Sequence, residues 1–193
     1  MKRRETGIPG VAILEPEVHG DHRGYFMETY NQPEFARLGI TQHFIQDNQS
    51  RSVQGVLRGL HWQIARPQAK LVRILSGEVF DVAVDIRRGS PTFGRWHGEV
   101  LSEHNRRSLF VGAGFAHGFL VLSPAAEFFY KVSDVWSPEA ERGIRFDDPQ
   151  VAIAWPATGS APTLSSRDRA WGGLAAIPDG DLFRWNAANP EGI

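Results

Sequence analysis

Four short segments set a titratable side chain into otherwise apolar sequence. Gly55-Val56-Leu57-Arg58-Gly59-Leu60-His61-Trp62-Gln63 carries an arginine and a histidine, and Gly114-Phe115-Ala116-His117-Gly118-Phe119 carries a second histidine. Lys70-Leu71-Val72-Arg73-Ile74-Leu75 opens on a lysine. In Glu127-Phe128-Phe129-Tyr130-Lys131-Val132, Tyr130 is one of 3 tyrosines and the only one after residue 30. Imidazole, ammonium and phenol are the groups of general acid–base chemistry near neutral pH. Each also has a structural reading. His61 and His117 fit packed histidines satisfied by backbone carbonyls, Lys70 fits a solvated strand edge, and Tyr130 fits a core aromatic with its hydroxyl satisfied. Asp168, in Ser165-Ser166-Arg167-Asp168, has the spacing of a helix N-cap with an acid in the first turn. Trp136, in Asp134-Val135-Trp136-Ser137-Pro138, fits a packing anchor or a stacking surface for a ring. Taken one at a time, these residues leave structure and chemistry both open.

Other chemistries are excluded by what the chain lacks. None of its 193 residues is Cys, which removes disulfides, thiolate nucleophiles and Cys-ligated zinc or iron–sulfur sites. His61-Trp62-Gln63 lacks the second His of a His-x-His metal motif, and no Glu falls between it and Gly77. His61 and His117 alone fall short of the three or four protein ligands typical of a transition-metal site, so no metal and no cofactor is expected. There is no Walker loop, no Gly-x-Gly-x-x-Gly fingerprint and no Gly-x-Ser-x-Gly elbow. The 21 basic and 22 acidic residues nearly cancel. That balance argues against nucleic acid or a membrane surface as partner, since such binders carry a basic excess. Met1-Lys2-Arg3-Arg4 is followed by an apolar run, residues 11–14, too short for a signal-peptide core. No stretch approaches the roughly 20 apolar residues of a membrane span. A soluble, cytoplasmic protein is the expectation.

Short strands must position these groups. The 20 glycines and 12 prolines follow no fixed period and mark many turns. Period-2 alternation predicts strands over 11–14, 24–30, 44–47, 57–63, 70–75, 78–88, 96–101, 108–111, 117–122 and 127–132. The strand over 78–88 puts Phe80, Val82, Val84 and Ile86 on one face and Val79, Asp81, Ala83 and Asp85 on the other. Ser76-Gly77-Glu78 predicts a hairpin joining it to the strand over 70–75. Arg58 and His61 are three apart and face opposite sides of a regular strand, unless Gly59 introduces a bulge. Pro33 and Gly39 bracket a short helix over 33–38, and 164–171 holds a further helical turn. Ten short strands with few helices predict an all-β sandwich or jelly-roll barrel. The length suits one domain over 1–193, with the tail after about residue 173 as a peripheral extension.

Together the motifs say more. Gln46-Asp47-Asn48, Gly55-Val56-Leu57-Arg58-Gly59-Leu60-His61, Lys70-Leu71-Val72-Arg73, the long run from Gly77 to Arg87, Ser90-Pro91-Thr92-Phe93-Gly94, Gly114-Phe115-Ala116-His117-Gly118-Phe119 and Tyr130-Lys131 resemble the dTDP-4-dehydrorhamnose 3,5-epimerase family. They occur in order and at family spacing from about residue 5 to about residue 175. The resemblance implies a cupin-type jelly roll and a homodimeric, metal-independent epimerase. Its implied substrate is a nucleotide sugar, dTDP-4-keto-6-deoxyglucose. By matching position, His61 resembles the catalytic base, Asp168 the carboxylate that orients it, Tyr130 the general acid, and Lys70 the cation at the sugar's C4 oxygen. Arg23, Glu28, Gln46, Asp47, Asn48, Arg58, His117, Glu141 and Arg167 resemble substrate-binding positions, and Trp136 the aromatic that stacks on thymine. Two other readings of the same motifs are a mono-epimerase acting at C3 or C5 alone and a non-catalytic nucleotide-sugar-binding jelly roll. Retention of His61, Lys70, Tyr130 and Asp168 together argues against the latter. The chain departs from the family pattern at Gly112, where Pro is usual and a looser turn is expected, at Trp62 for Phe or Tyr, and at Trp136 for Tyr.

Overall fold

The computed structural model describes residues 1–189, and residues 190–193 of the expected domain lie outside the described part. The described residues form fifteen strands and two α-helices. In chain order they are β1 (Lys2–Glu5), β2 (Val11–Glu15), β3 (Val18–Asp21), β4 (Gly24–Met27), α1 (Gln32–Arg37), β5 (Gln46–Val53), β6 (Leu57–Gln63) and β7 (Lys70–Ser76). There follow β8 (Glu78–Asp85), β9 (Arg87–Arg88), β10 (Trp96–Ser102), β11 (Ser108–Val111), β12 (Phe115–Val121), β13 (Ala125–Val132), β14 (Glu141–Gly143), α2 (Ser166–Ala170) and β15 (Phe183–Arg184). A six-stranded antiparallel sheet runs β1-β2-β11-β7-β13-β5, and a five-stranded one runs β10-β8-β12-β6-β14. This is the mainly β, jelly-roll arrangement expected.

The alternation of side chains sorts the apolar residues into layers. Val11, Ile13, Val72, Ile74 and Phe128 of one sheet meet Val79, Ala83, Phe119 and Val121 of the other in the central core. Ala12, Leu14, Leu71 and Phe110 point the opposite way, onto Phe35 of α1 and Ile40. Leu60, Trp62, Val82, Val84 and Ile86 form the outer face of the five-stranded sheet, beneath Ile144, Val151, Leu174, Leu182 and Phe183. Leu174, Leu182 and Phe183 of the segment expected to be peripheral are therefore built into a core layer. Both faces of β8 are buried, as its run of valines suggests.

The predicted hairpin across Gly77 does not form. β7 pairs with β11 and β13, whereas β8 pairs with β10 and β12. Gly77 is instead the corner at which the chain leaves one sheet for the other. Its φ is +80°, and a Cβ there would lie 2.1 Å from the carbonyl oxygen of Ala125. A glycine corner and a hairpin glycine look alike in sequence, because the choice of partner strand is made by distant residues. The predicted strand over 24–30 stops at Met27 and pairs only with β3. The strand predicted over 44–47 runs from Gln46 to Val53. α1 follows its signals, with Asn31 as N-cap and Pro in the first turn. Gly112 donates its N–H to the carbonyl of Gly10 at 2.7 Å, a bond proline lacks. The turn expected to be looser is thus tied down.

Candidate active site

Polar groups take over the inward positions of the sandwich around one cleft of about 550 Å³. β6, β7, β12 and β13 supply His61, Lys70, His117 and Tyr130, while β14 and α2 supply Glu141, Arg167 and Asp168. Arg58 and Trp136 complete the nine sequence-predicted residues that line it. Arg58 and His61 share the cleft because β6 is irregular. His61 pairs with His117 and Arg58 with Phe119, so three residues of β6 span two of β12. This is the bulge that Gly59 was expected to allow, and Gly59 has a φ of +113°.

His61 is braced on both ring nitrogens. Nε2 lies 2.5 Å from Asp168 Oδ1, and Nδ1 lies 3.5 Å from Glu141 Oε1. Burial alone pushes Asp168 up. The hydrogen bond and charge of His61, the Ser165 hydroxyl and the Arg167 charge outweigh it, so the carboxyl sits below its ordinary range. An ionised carboxylate only accepts hydrogen bonds, so Nε2 is the donor in this pair. Ser165 is also the N-cap of α2, accepting from the Asp168 N–H. Asp168 is therefore both the expected acid in the first turn of α2 and the partner of His61. Arg167 Nη1 lies 2.8 Å from Glu141 Oε2 and holds the second carboxylate. Gly143 stands opposite His61 in the ladder. A Cβ there would come 2.5 Å from the Trp171 indole, so only glycine lets that ring settle beside β14.

Lys70 and Tyr130 are placed but uncommitted. Lys70 opens β7 on its inward side and is only 9% exposed, yet its Nζ has no hydrogen-bond partner among the described residues. Burial pulls the ammonium down to about 8, with the negative charges of Glu141 and Asp81 partly opposing. The Tyr130 hydroxyl likewise has no hydrogen-bond partner among the described residues. Burial pushes this phenol up; the Arg58 charge opposes that rise and Glu141 adds to it. Lys70 is thus no edge device, and Tyr130 no satisfied core aromatic.

His117 is held more rigidly. Its Nε2 lies 2.8 and 3.0 Å from the two carboxylate oxygens of Asp81, a residue with no exposed surface. Neither expected histidine is satisfied by a backbone carbonyl through the hydrogen bonds described here; each takes a carboxylate. Among the described residues, no group of three or more His, Asp or Glu is placed to hold a metal ion.

Five expected residues fall outside the cleft lining. Gln46 and Asn48 alternate with Ser50 along the inward side of β5, hydrogen-bonded to each other at 2.8 Å, and Asn48 stands opposite Tyr130. Asp47 points outward and pairs with Lys131 at 2.9 Å. Arg23 caps the β3–β4 hairpin and pairs with Asp21 at 2.5 Å, while Glu28 accepts from Asn31 at 3.0 Å. Asp81 and Gln63 were missed in the sequence. For Asp81 the signal was present: an acid at an inward position between Val79 and Ala83.

The model of the family described as dTDP-4-dehydrorhamnose 3,5-epimerase matches residues 5–176. A dTDP-4-dehydrorhamnose 3,5-epimerase of Pseudomonas aeruginosa is 55% identical over 95% of this chain and 99% of its own length. The crystal structure of a dTDP-6-deoxy-D-glucose-3,5-epimerase from Legionella pneumophila, in complex with dTDP-4-keto-L-rhamnose, superposes with a TM-score of 0.94 at 50% identity, covering 96% of this chain and 99% of that one. A 4-keto-6-deoxy sugar epimerase from the novobiocin gene cluster of Streptomyces spheroides superposes with a TM-score of 0.90 at 40% identity, covering 96% and 94%. No helix among the described residues is long and apolar enough to cross a membrane. With the motifs, the jelly roll and the cleft all in agreement, the chain belongs to the dTDP-4-dehydrorhamnose 3,5-epimerase family and is an enzyme of that isomerase class.

Proposed function

We propose that the chain inverts C3 and C5 of dTDP-4-keto-6-deoxyglucose to give dTDP-4-dehydro-L-rhamnose, by proton transfer through an enolate. The observation that carries this reading is the braced imidazole of His61 in one cleft with a buried ammonium and a half-buried phenol, neither of which is hydrogen-bonded by a described residue. The C4 carbonyl acidifies the protons on both neighbouring carbons. His61 Nδ1 removes such a proton, and the imidazolium that forms lies between Asp168 and Glu141, whose charges stabilise it. Negative charge then builds on O4, where the Lys70 ammonium stabilises it. Inversion needs a proton from the other face, and a phenol kept neutral by burial supplies it at Tyr130. Arg58 and Arg167 offer forked donors for the pyrophosphate. A cytoplasmic setting fits such a soluble substrate.

A homodimer belongs to the same proposal. Arg23 and Glu28, which the resemblance makes substrate contacts, do not line this chain's own cleft. The hairpin that carries Arg23 exposes Tyr25 and Phe26, the latter by 70%. A second copy whose cleft receives this hairpin accounts for both facts. Mixing the Arg23→Ala and His61→Ala variants should then restore activity to a fraction of sites. Incubation with dTDP-4-keto-6-deoxyglucose in D₂O tests the reaction itself. Deuterium at C3 and C5 supports it, label at one carbon makes the chain a mono-epimerase, and no label removes the catalytic reading.

A further inference from the structure

Trp136 is 57% exposed at the rim of the cleft, on a loop that has no helix or strand of its own. Such a ring ordinarily moves with its loop. Here the backbone beneath it is held by three glutamine side chains from separate parts of the chain. Gln68 donates to the carbonyl of Asp134 at 2.8 Å. Gln63 donates to the carbonyl of Val135 at 3.2 Å and accepts from the N–H of Ser137 at 2.8 Å. Gln46 accepts from the N–H of Trp136 itself at 3.3 Å. Each residue from 134 to 137 thus has a backbone group engaged by an amide side chain.

Gln63 is the keystone of this set. It is buried at the end of β6, two residues from His61, and also donates to the carbonyl of Arg66 at 2.8 Å. Both N–H groups of its amide are committed to loop carbonyls, so Gln63 has no donor left for a ligand although it lines the cleft. Its chemistry is directed at the two residues that flank Trp136. We infer that Gln63, assisted by Gln68, is a positioning residue that fixes Trp136 as a rigid stacking platform for the base of the substrate. An exposed ring on a pre-ordered loop loses little freedom when a base stacks on it, and binding is tighter for that reason. The inference rests on the nucleotide reading proposed above.

Calorimetric titration of the intact protein with dTDP tests it. Gln63→Met should weaken dTDP binding about tenfold, and Gln68→Met, which removes a single donor, about threefold. Both losses should fall on KM more than on kcat. In a Trp136→Ala background neither substitution should weaken dTDP further, because each acts through the ring. Equal losses with and without Trp136, or no loss in either background, would overturn the inference. If the unsubstituted chain fails to bind dTDP, the nucleotide reading falls and the inference with it. Gln68→Met keeps the test decisive should Gln63→Met fail to fold.

Discussion

Two histidine–aspartate pairs stand side by side in this cleft and are built differently. His117 and Asp81 come from adjacent interior strands of one sheet, and Asp81 grips the ring with both oxygens out of reach of water. His61 comes from β6, its partner from α2 more than a hundred residues later, and a quarter of its side chain stays exposed. His61 alone has a second carboxylate at its other nitrogen. A pair locked inside a sheet makes a fixed donor. A pair divided between a strand and a helix leaves one ring nitrogen reachable and surrounds it with charge suited to receive a proton.

The largest effect should separate the rings. His61→Ala lowers deuterium incorporation at both carbons by about 10³-fold or more while dTDP affinity changes little. His117→Ala should cost about tenfold, mainly in KM, since the family resemblance implies a binding role for that ring. Comparable rate losses in the two variants, measured by NMR, would break the contrast. Next come the carboxylates. Asp168→Asn should cost about 10²-fold or more in exchange rate with a modest change in urea midpoint. Asp81→Asn should cost on the order of 2–3 kcal/mol of stability, because it weakens a wholly buried pair.

A third test uses pH. In the proposed mechanism Lys70 must be protonated to stabilise O4, so kcat/KM should fall roughly tenfold per unit as pH rises above about 8. The sign for stability is opposite. The folded state holds its proton less tightly than the unfolded chain, whose lysine keeps its ordinary 10.5, so this group raises stability as pH climbs from about 8 to 10.5. Lys70→Met should therefore stabilise the protein at pH 7 by on the order of 3 kcal/mol while abolishing that alkaline limb together with most of the activity. The smallest effect sits behind His61. Trp62 donates its indole N–H to the carbonyl of Asp181 at 2.9 Å, and Asp181 also pairs with Arg142 at 3.0 Å, next to Glu141. Trp62→Phe should cost about 1 kcal/mol in thermal unfolding. A loss confined to stability, with exchange unchanged, would show that the back of β6 tolerates more play than the front.

Much of the site could be seen in the sequence because its groups interrupt apolar strands: His61, Lys70, His117 and Tyr130 each stand out from their neighbours. Asp168 did not, since the same spacing serves a helix cap, and here one residue does both jobs, its N–H bonded to the Ser165 cap and its carboxylate to His61. The arrangement of strands was harder. β5 carries mostly polar residues because its inward side flanks a wet cleft, so hydrophobic alternation located only its beginning. β1 is largely charged, as an edge strand can be. Gln63 gave no signal, since its importance lies in backbone groups some seventy residues away.

The corner at Gly77 has a consequence for how the molecule comes into being. Because β7 and β8 are consecutive yet belong to different sheets, each sheet is assembled from segments scattered along the chain. Neither sheet is a unit that can form and wait for the other. Folding of this kind closes long loops before many contacts reward it, and is slow and strongly cooperative. The cleft draws on β6, β7, β12, β13, β14 and α2, so it exists only once both sheets have closed. No fragment of this chain should carry a partial activity, and catalytic competence should appear in refolding as a single event with the last of the β structure.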